Sequence, residues 1–336
     1  MYRYCWVCIA HLIRISLNST KGTNKSNSII KSMRFLIISD IHSNIEALVS
    51  VFSELHNQNE KIDNVFVLGD IVGYGVNPNE CCTIVKFLKS GKPALKKEIQ
   101  TIIQSIDIDA TDKENIINYI FSLGKKATVI AGNHDQRVIG QLNTVMASSA
   151  GISINWTKKV IHNDNIRFLK SLSYKEKLLE YNIELVHSTS NRPEDYVYVM
   201  NSILLNYNLL HSKITFAGHT HKPAAYLYTK YKRDIHASVF VPTDKFDKNL
   251  MLAERGSSDR LETFDISLKP GQRYYINPGS VGQPRDGIPM ASYKIYDTET
   301  NKVYMEKAEY DREVVRKKIL EAGLPFDLAN RILTGI

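Results

Sequence analysis

Short apolar runs in this sequence repeatedly end in side chains that bind metal ions. The run 35–39 is followed by Asp40-Ile41-His42, the run 65–68 by Gly69-Asp70, and residues 129–131 by Gly132-Asn133-His134-Asp135. Leu185-Val186 leads into His187, and the run 214–217 leads into Gly218-His219-Thr220-His221. Imidazole, carboxylate and amide oxygen together suit Mn, Fe, Zn, Co or Ni better than Mg. Two divalent ions set against Asp40 and Asp70 leave a charge of about +2, enough to attract a phosphoryl group and bring a bound water to a pKa of ~7. Residues two apart in extended chain point the same way, so the spacing predicts that Asp40 and His42 share one ion and that His219 and His221 face one pocket. Asp70 is a candidate bridge, with one oxygen for each ion, and Asn133 offers a neutral oxygen. Glycine precedes Asp70, Asn133 and His219, where backbone must approach closely without a Cβ.

The elements that must position these residues are legible as strands and helices. Residues 35–39, 65–68 and 127–131 are β-rich runs of buried-strand type. Between the first two, residues 45–56 put Ile45, Leu48, Val49, Phe52 and Leu55 on one helical face, and Pro78 opens a second helix with Glu80 in its first turn. Strand–helix–strand repetition predicts parallel strands with crossover helices, and open α/β sheets place their sites at the strands' carboxyl ends. Residues 93–123 read as an inserted helical pair, a candidate substrate wall or partner surface, and two further helices are expected between 143 and 172. Residues 226–241 and 274–297 are rich in Tyr, Ile and Val without helical period, which predicts a second, mostly antiparallel sheet; residues 311–336 close with helices. The expected fold is a single α/β domain over 33–336, two sheets with helices outside.

Composition bounds the rest. A chain of 336 residues, 43% hydrophobic and 23% charged, is of ordinary globular type. The net charge of +8 suggests nucleic acid, but five of those charges sit in residues 1–32, leaving +3 on the body with interspersed signs, so nucleic-acid binding is disfavoured. That leader is too short and too interrupted to span a bilayer and lacks the form of a signal peptide; Met33, directly before a strong strand, is the expected native start. Cys5-x-x-Cys8 has no second pair to complete a zinc site, and the four cysteines form no disulfide framework, in keeping with a reducing cytoplasm.

The motifs SDIHSN (39–44), LGDIVGYGVNPNEC (68–81), AGNHD (131–135), LVHS (185–188), GHTHKP (218–223) and INPGSVGQPRDG (276–287) occur in this order. The set resembles the calcineurin-like metallophosphoesterase superfamily, in particular its small prokaryotic phosphodiesterase branch related to diadenosine tetraphosphatases. That resemblance implies a four-layer arrangement, helices–sheet–sheet–helices, and two divalent ions. It places Asp40, His42 and His221 on the first ion and Asn133, His187 and His219 on the second, with Asp70 bridging. It implies in-line attack on a small phosphorylated substrate by a hydroxide shared between ions ~3.5–4 Å apart. His134 matches the catalytic histidine, with Asp135 as a candidate to orient it. Asn44 matches an active-site asparagine of the phosphodiesterase branch.

One departure bears on substrate. Phosphoprotein phosphatases of the superfamily carry a Val-Asp-Arg-Gly run whose arginine binds phosphate; here the run is Ile71-Val72-Gly73-Tyr74-Gly75. Arg285 is a candidate phosphate contact, with a surface salt bridge to a carboxylate as the competing reading. Single strand-end Asp or His residues are commonly caps or packing groups, and His162 and His211 read as ordinary surface histidines. The glycines at 69, 73 and 75 read as turn formers, 277–280 as a structural turn, and the tyrosines at 226, 228, 274, 275, 293 and 296 as sheet packing. A phosphodiesterase or phosphatase is expected; a catalytically silent scaffold and a nuclease are the alternatives. No phosphate-binding Gly-x4-Gly-Lys-Ser/Thr loop is present, and Asp40 lacks the second Asp of an aspartyl-phosphate enzyme.

Overall fold

Strand β1 (Arg34–Ile38) is apolar and buried at its last four positions, as a strand covered on both faces must be. In the computed structural model, which describes residues 32–143, 148–189, 212–231, 234–240 and 265–336, it pairs in parallel with β2 (Asn64–Val67), which pairs in parallel with β3 (Ala127–Val129). The crossover α1 (Ile45–Asn57) starts where Asn44 Oδ1 accepts the Ala47 N–H at 3.0 Å, satisfying an orphan donor of the first turn. Helix α2 (Pro78–Ser90) begins with proline, which costs nothing at that position, and stops at Gly91 in the left-handed region. The leader, with Cys5 and Cys8, and His211 lie outside the described residues.

The inserted helices are α3 (Leu95–Gln104) and α4 (Ala110–Ser122). They pack on α1 and α2 through Ile99, Ile103, Ile116 and Ile120. Tyr119 donates to the Glu60 carbonyl at 2.8 Å, beyond the far end of α1, a helix about 20 Å long. This anchors the C-terminal end of α4 at the far end of α1, and the pair packs in the helical layer outside the first sheet.

The remaining strands are β4 (Lys175–Leu178), β5 (Ile183–Val186), β6 (Ile214–Ala217), β7 (Ala224–Tyr231), β8 (Asp234–Phe240), β9 (Asp265–Ser267), β10 (Arg273–Asn277), β11 (Ala291–Asp297) and β12 (Lys302–Ala308). The first sheet runs β3-β2-β1-β11-β12-β9 and the second β4-β5-β6-β10-β7-β8. Each has a parallel trio, β1-β2-β3 and β5-β6-β10, extended by antiparallel strands. The expectation for 274–297 is therefore corrected: β10 lies parallel to β6 in the second sheet, whereas β11 crosses to the first and runs antiparallel to β1. A strand's own pattern reports its burial, not its partner, so a change of sheet leaves no local signature.

Between the sheets lies a shared core in which Phe35 stacks on Phe66 at 4.7 Å and Phe66, Phe216 and Tyr296 follow at 6.2–6.3 Å. Aromatic pairs of this kind contribute about 0.5–1.5 kcal/mol each beyond their buried area. On the outer face of the first sheet, Leu36, Ile38, Val65 and Val67 meet the apolar faces of α1 and α2. The helices α5 (Asn133–Val138), α6 (Ser149–Val160) and α7 (Asn163–Lys170) follow β3, and α8 (Arg312–Glu321) and α9 (Phe326–Thr334) close the chain. The last two bury Val315, Ile319, Leu328 and Ile332 against Tyr74. The fold is the expected α/β sandwich of two sheets flanked by helices. No helix among the described residues is long and apolar enough to cross a membrane.

Candidate metal centre

The carboxyl ends of β1, β2, β3, β5 and β6 bring the strand-end residues together, and two overlapping groups of ligand atoms result. Asp40, His42, Asp70 and His221 form one, and Asp70, His187 and His219 the other; within each, the atoms lie within 4.8 Å of one another. All six side chains are buried. Their backbone is not extended: Asp40, His42, Asp70, His219 and His221 have φ between 49 and 70°, a region costly for side-chain-bearing residues and characteristic of functional sites. Cross-loop hydrogen bonds hold it there, among them His42 N to Asp70 O (2.9 Å), Asp40 N to Gly69 O (3.1 Å) and Gly282 N to Asp40 O (2.9 Å). The pairing argued from extended geometry thus holds for Asp40 and His42 for a different reason. His219 and His221 belong to the two different groups, which meet at Asp70.

The histidine tautomers follow from their outer partners. Nδ1 of His42 faces the Val72 carbonyl at 3.2 Å, and Nδ1 of His221 faces the Gln283 carbonyl at 2.6 Å. A carbonyl only accepts, so each Nδ1 carries the proton and each Nε2 a lone pair. Those two Nε2 atoms point at each other across 3.0 Å. Burial, above all, holds both rings well below the usual histidine range and therefore neutral. Two lone pairs, with Asp40 Oδ1 at 3.4 Å and Asp70 Oδ2 at 3.7 Å, are the donor set of a divalent cation.

The second group has the same character. His187 Nδ1 faces the Leu68 carbonyl at 2.7 Å, and its Nε2 lies 3.2 Å from Asp70 Oδ2. Burial opposes protonation of His187, but the Asp70 charge and hydrogen bond outweigh it and raise the ring to about 9; an ion entering between them displaces that proton. Asn133 Oδ1 lies 3.0 Å from His187 Nε2, 2.9 Å from His219 Nδ1 and 3.2 Å from Asp70 Oδ2. A cation among these atoms favours that orientation, whereas the reversed amide would hydrogen-bond to all three. Asp70 does not offer one oxygen to each group. Its Oδ1 accepts the His134 N–H at 2.7 Å, and Oδ2 alone faces both groups. Burial pushes the Asp40 carboxyl up to about 7, with the Asp70 charge adding to it. Gly132 permits the close approach of these loops, since a Cβ there would lie 2.1 Å from Asp70 Oδ1.

The sequence profile of calcineurin-like phosphoesterases matches residues 33–223, a stretch that contains all seven expected ligands. The chain belongs to this family.

An uncharacterized protein of Methanocaldococcus jannaschii is 33% identical over 315 residues, 91% of this chain and 99% of its own. The crystal structure of a metallophosphoesterase from Sphaerobacter thermophilus is similar at 28% identity and a TM-score of 0.61, covering 91% of this chain and 100% of that one. A hypothetical protein from Pyrococcus horikoshii shares the fold at 15% identity and a TM-score of 0.55, over 90% and 98%.

In this calcineurin-like phosphoesterase, His134 sits at the start of α5 with its ring edge-on to His42 at 4.9 Å. Its buried Nδ1 has no partner and is pressed on Gly73, where a Cβ would lie 2.5 Å away. Burial, first, lowers its pKa to about 4. Asp135 does not orient it: its carboxylate accepts from Val72 N at 3.1 Å and Gly132 N at 2.9 Å. Asn44 uses its amide oxygen on the α1 cap and donates Nδ2 to the Gly282 carbonyl at 2.9 Å, so both ends of its side chain serve the loops. Arg285 stands beside the ligands, its N–H bonded to the His221 carbonyl at 3.2 Å. His162 is exposed, as expected. Sequence reasoning missed Tyr74, whose ring lies 4.6 Å from that of His42 and 4.5 Å from that of His134, and Gln283, which orients His221. Neither residue type signals such a role by spacing.

Proposed function

We propose that this chain is a dinuclear metal-dependent phosphoesterase acting on a small phosphorylated substrate, of the nucleotide class or similar. The observation that carries this reading is the pair of neutral, carbonyl-fixed histidines, His42 and His221, presenting lone pairs to each other across 3.0 Å beside two buried carboxylates. Asp40, His42 and His221 would hold one ion, Asn133, His187 and His219 the other, with Asp70 shared through Oδ2. Bound there, the ions supply Lewis acidity, acidifying water and drawing charge from the phosphoryl group. The surrounding residues supply position. Val72, Leu68 and Gln283 fix the ring tautomers, and the left-handed loops hold the ligands preorganised. His134, neutral and free of a ligand role, serves as a hydrogen-bond donor to a phosphoryl oxygen or the leaving group.

The test strips metal from the full chain, restores Mn²⁺, Co²⁺, Ni²⁺, Zn²⁺ or Mg²⁺ in turn, and follows p-nitrophenyl phosphate and bis-p-nitrophenyl phosphate. Metal-dependent hydrolysis that falls ~10²-fold or more in His134→Ala, with metal content retained, is expected. Ions bound without hydrolysis of either ester by the wild type would favour a binding scaffold.

A further inference from the structure

The second motif carries no arginine, but Arg285 reaches its Tyr74 from a distant part of the chain. Arg285 Nη2 donates to Tyr74 Oη at 3.2 Å and to Gln283 Oε1 at 2.8 Å, and its guanidinium carbon lies 5.6 Å from the Tyr74 ring centroid. Tyr74 occupies the run in which the phosphoprotein phosphatases carry their arginine. The competing reading, a salt bridge, does not hold: among the described residues no carboxylate pairs with Arg285, and the adjacent Asp286 is taken by Lys307. Arg285 Nε and Gln283 Nε2 are instead buried donors with no partner, a costly arrangement unless an acceptor arrives. The loop is built rigidly. Gln283 holds His221 through its carbonyl, Arg285 N–H bonds to His221 O, and Gly287 N–H bonds to Gly335 O at 2.8 Å, at the chain's end. Arg285 lies outside residues 33–223, so the family match does not assign it.

We infer that Arg285, held by Tyr74 and Gln283, binds a terminal phosphoryl oxygen and selects dianionic phosphomonoester groups over diesters. A monoester phosphoryl carries three terminal oxygens and up to two negative charges; a diester carries two and one. Ions held by the two ligand groups would engage two oxygens in either substrate, leaving the third of a monoester to the guanidinium beside His221. A guanidinium presents its donors in a fixed fork that an ammonium lacks, so lysine is an incomplete substitute. The inference rests on the phosphoesterase reading and adds the substrate class.

The test uses the metal-loaded full chain, with Arg285→Met, Arg285→Lys and Tyr74→Phe, and two readouts. Calorimetric binding of inorganic phosphate is expected to weaken at least ~10-fold in Arg285→Met and less in Arg285→Lys and Tyr74→Phe, with metal content unchanged. The kcat/KM for p-nitrophenyl phosphate is expected to fall at least ~10-fold further than that for bis-p-nitrophenyl phosphate in Arg285→Met. Unchanged phosphate affinity, or an equal fall for both esters, would overturn the inference. Wild-type protein that binds phosphate through Arg285 yet hydrolyses neither ester would sink the phosphoesterase reading while upholding the clamp.

Discussion

At the scale of single residues, the centre depends on what surrounds the ligands as much as on the ligands. A histidine becomes a useful donor only when its other nitrogen is fixed, and here backbone carbonyls of Val72, Leu68 and Gln283 do that work. Gly73 has a comparable role for His134. With φ at 93° and the His134 ring where its Cβ would be, Gly73→Ala is expected to displace that ring. Misplacement of about 1 Å at a reacting group costs ~10²-fold, so steady-state kcat should fall by that order while metal content by plasma mass spectrometry stays at the wild-type level. Lost metal together with lost activity would show instead that Gly73 supports the whole loop. The ligand types were legible in the sequence because Asp, Asn and His are chemically distinctive and each follows an apolar strand. Gln283, acting through its backbone carbonyl, and Tyr74, acting through its ring, were not, because neither use requires that residue type.

At the scale of elements, the parallel strands and crossover helices were legible from periodicity, and the ligand-type side chains do gather at their carboxyl ends. What periodicity could not give was partner choice. Strand β11 is buried on both faces: Ala291, Tyr293 and Ile295 meet the helices, and Tyr296 meets the second sheet. Nothing in its pattern distinguishes an edge of the second sheet from the middle of the first. The loops were misjudged for a related reason. Strand-like spacing of Asp40 with His42 and of His219 with His221 suggested extended backbone, whereas tight left-handed turns are fixed by bonds to loops distant in sequence. The insertion α3–α4 was read correctly as helices, yet its docking at the far end of α1 depended on Tyr119 and Glu60, a contact no local pattern announces.

At the scale of the molecule, the two sheets meet in an apolar core that also encloses Lys294, 1% exposed. Its Nζ donates to Ser292 Oγ at 3.1 Å and the Tyr293 carbonyl at 3.0 Å. Burial first, then the charge of Lys307, lowers its pKa to about 7 from 10.5. Between those values the unfolded chain holds a proton that the folded chain lacks. Stability therefore rises as pH climbs from about 7 to 10.5, and the full cost of the buried cation is present below about 7. Urea unfolding of Lys294→Met should show a smaller rise over that window than the wild type, together with a gain near pH 6; identical profiles would mean that the amine stays protonated in the fold. The central claim concerns the place where both sheets end, and calorimetric titration of metal-stripped full-length protein with Mn²⁺ tests it most directly. Two ions per chain, with release of protons as His187 is deprotonated, is the result expected. Failure to bind any ion would contradict a dinuclear centre built on Asp70.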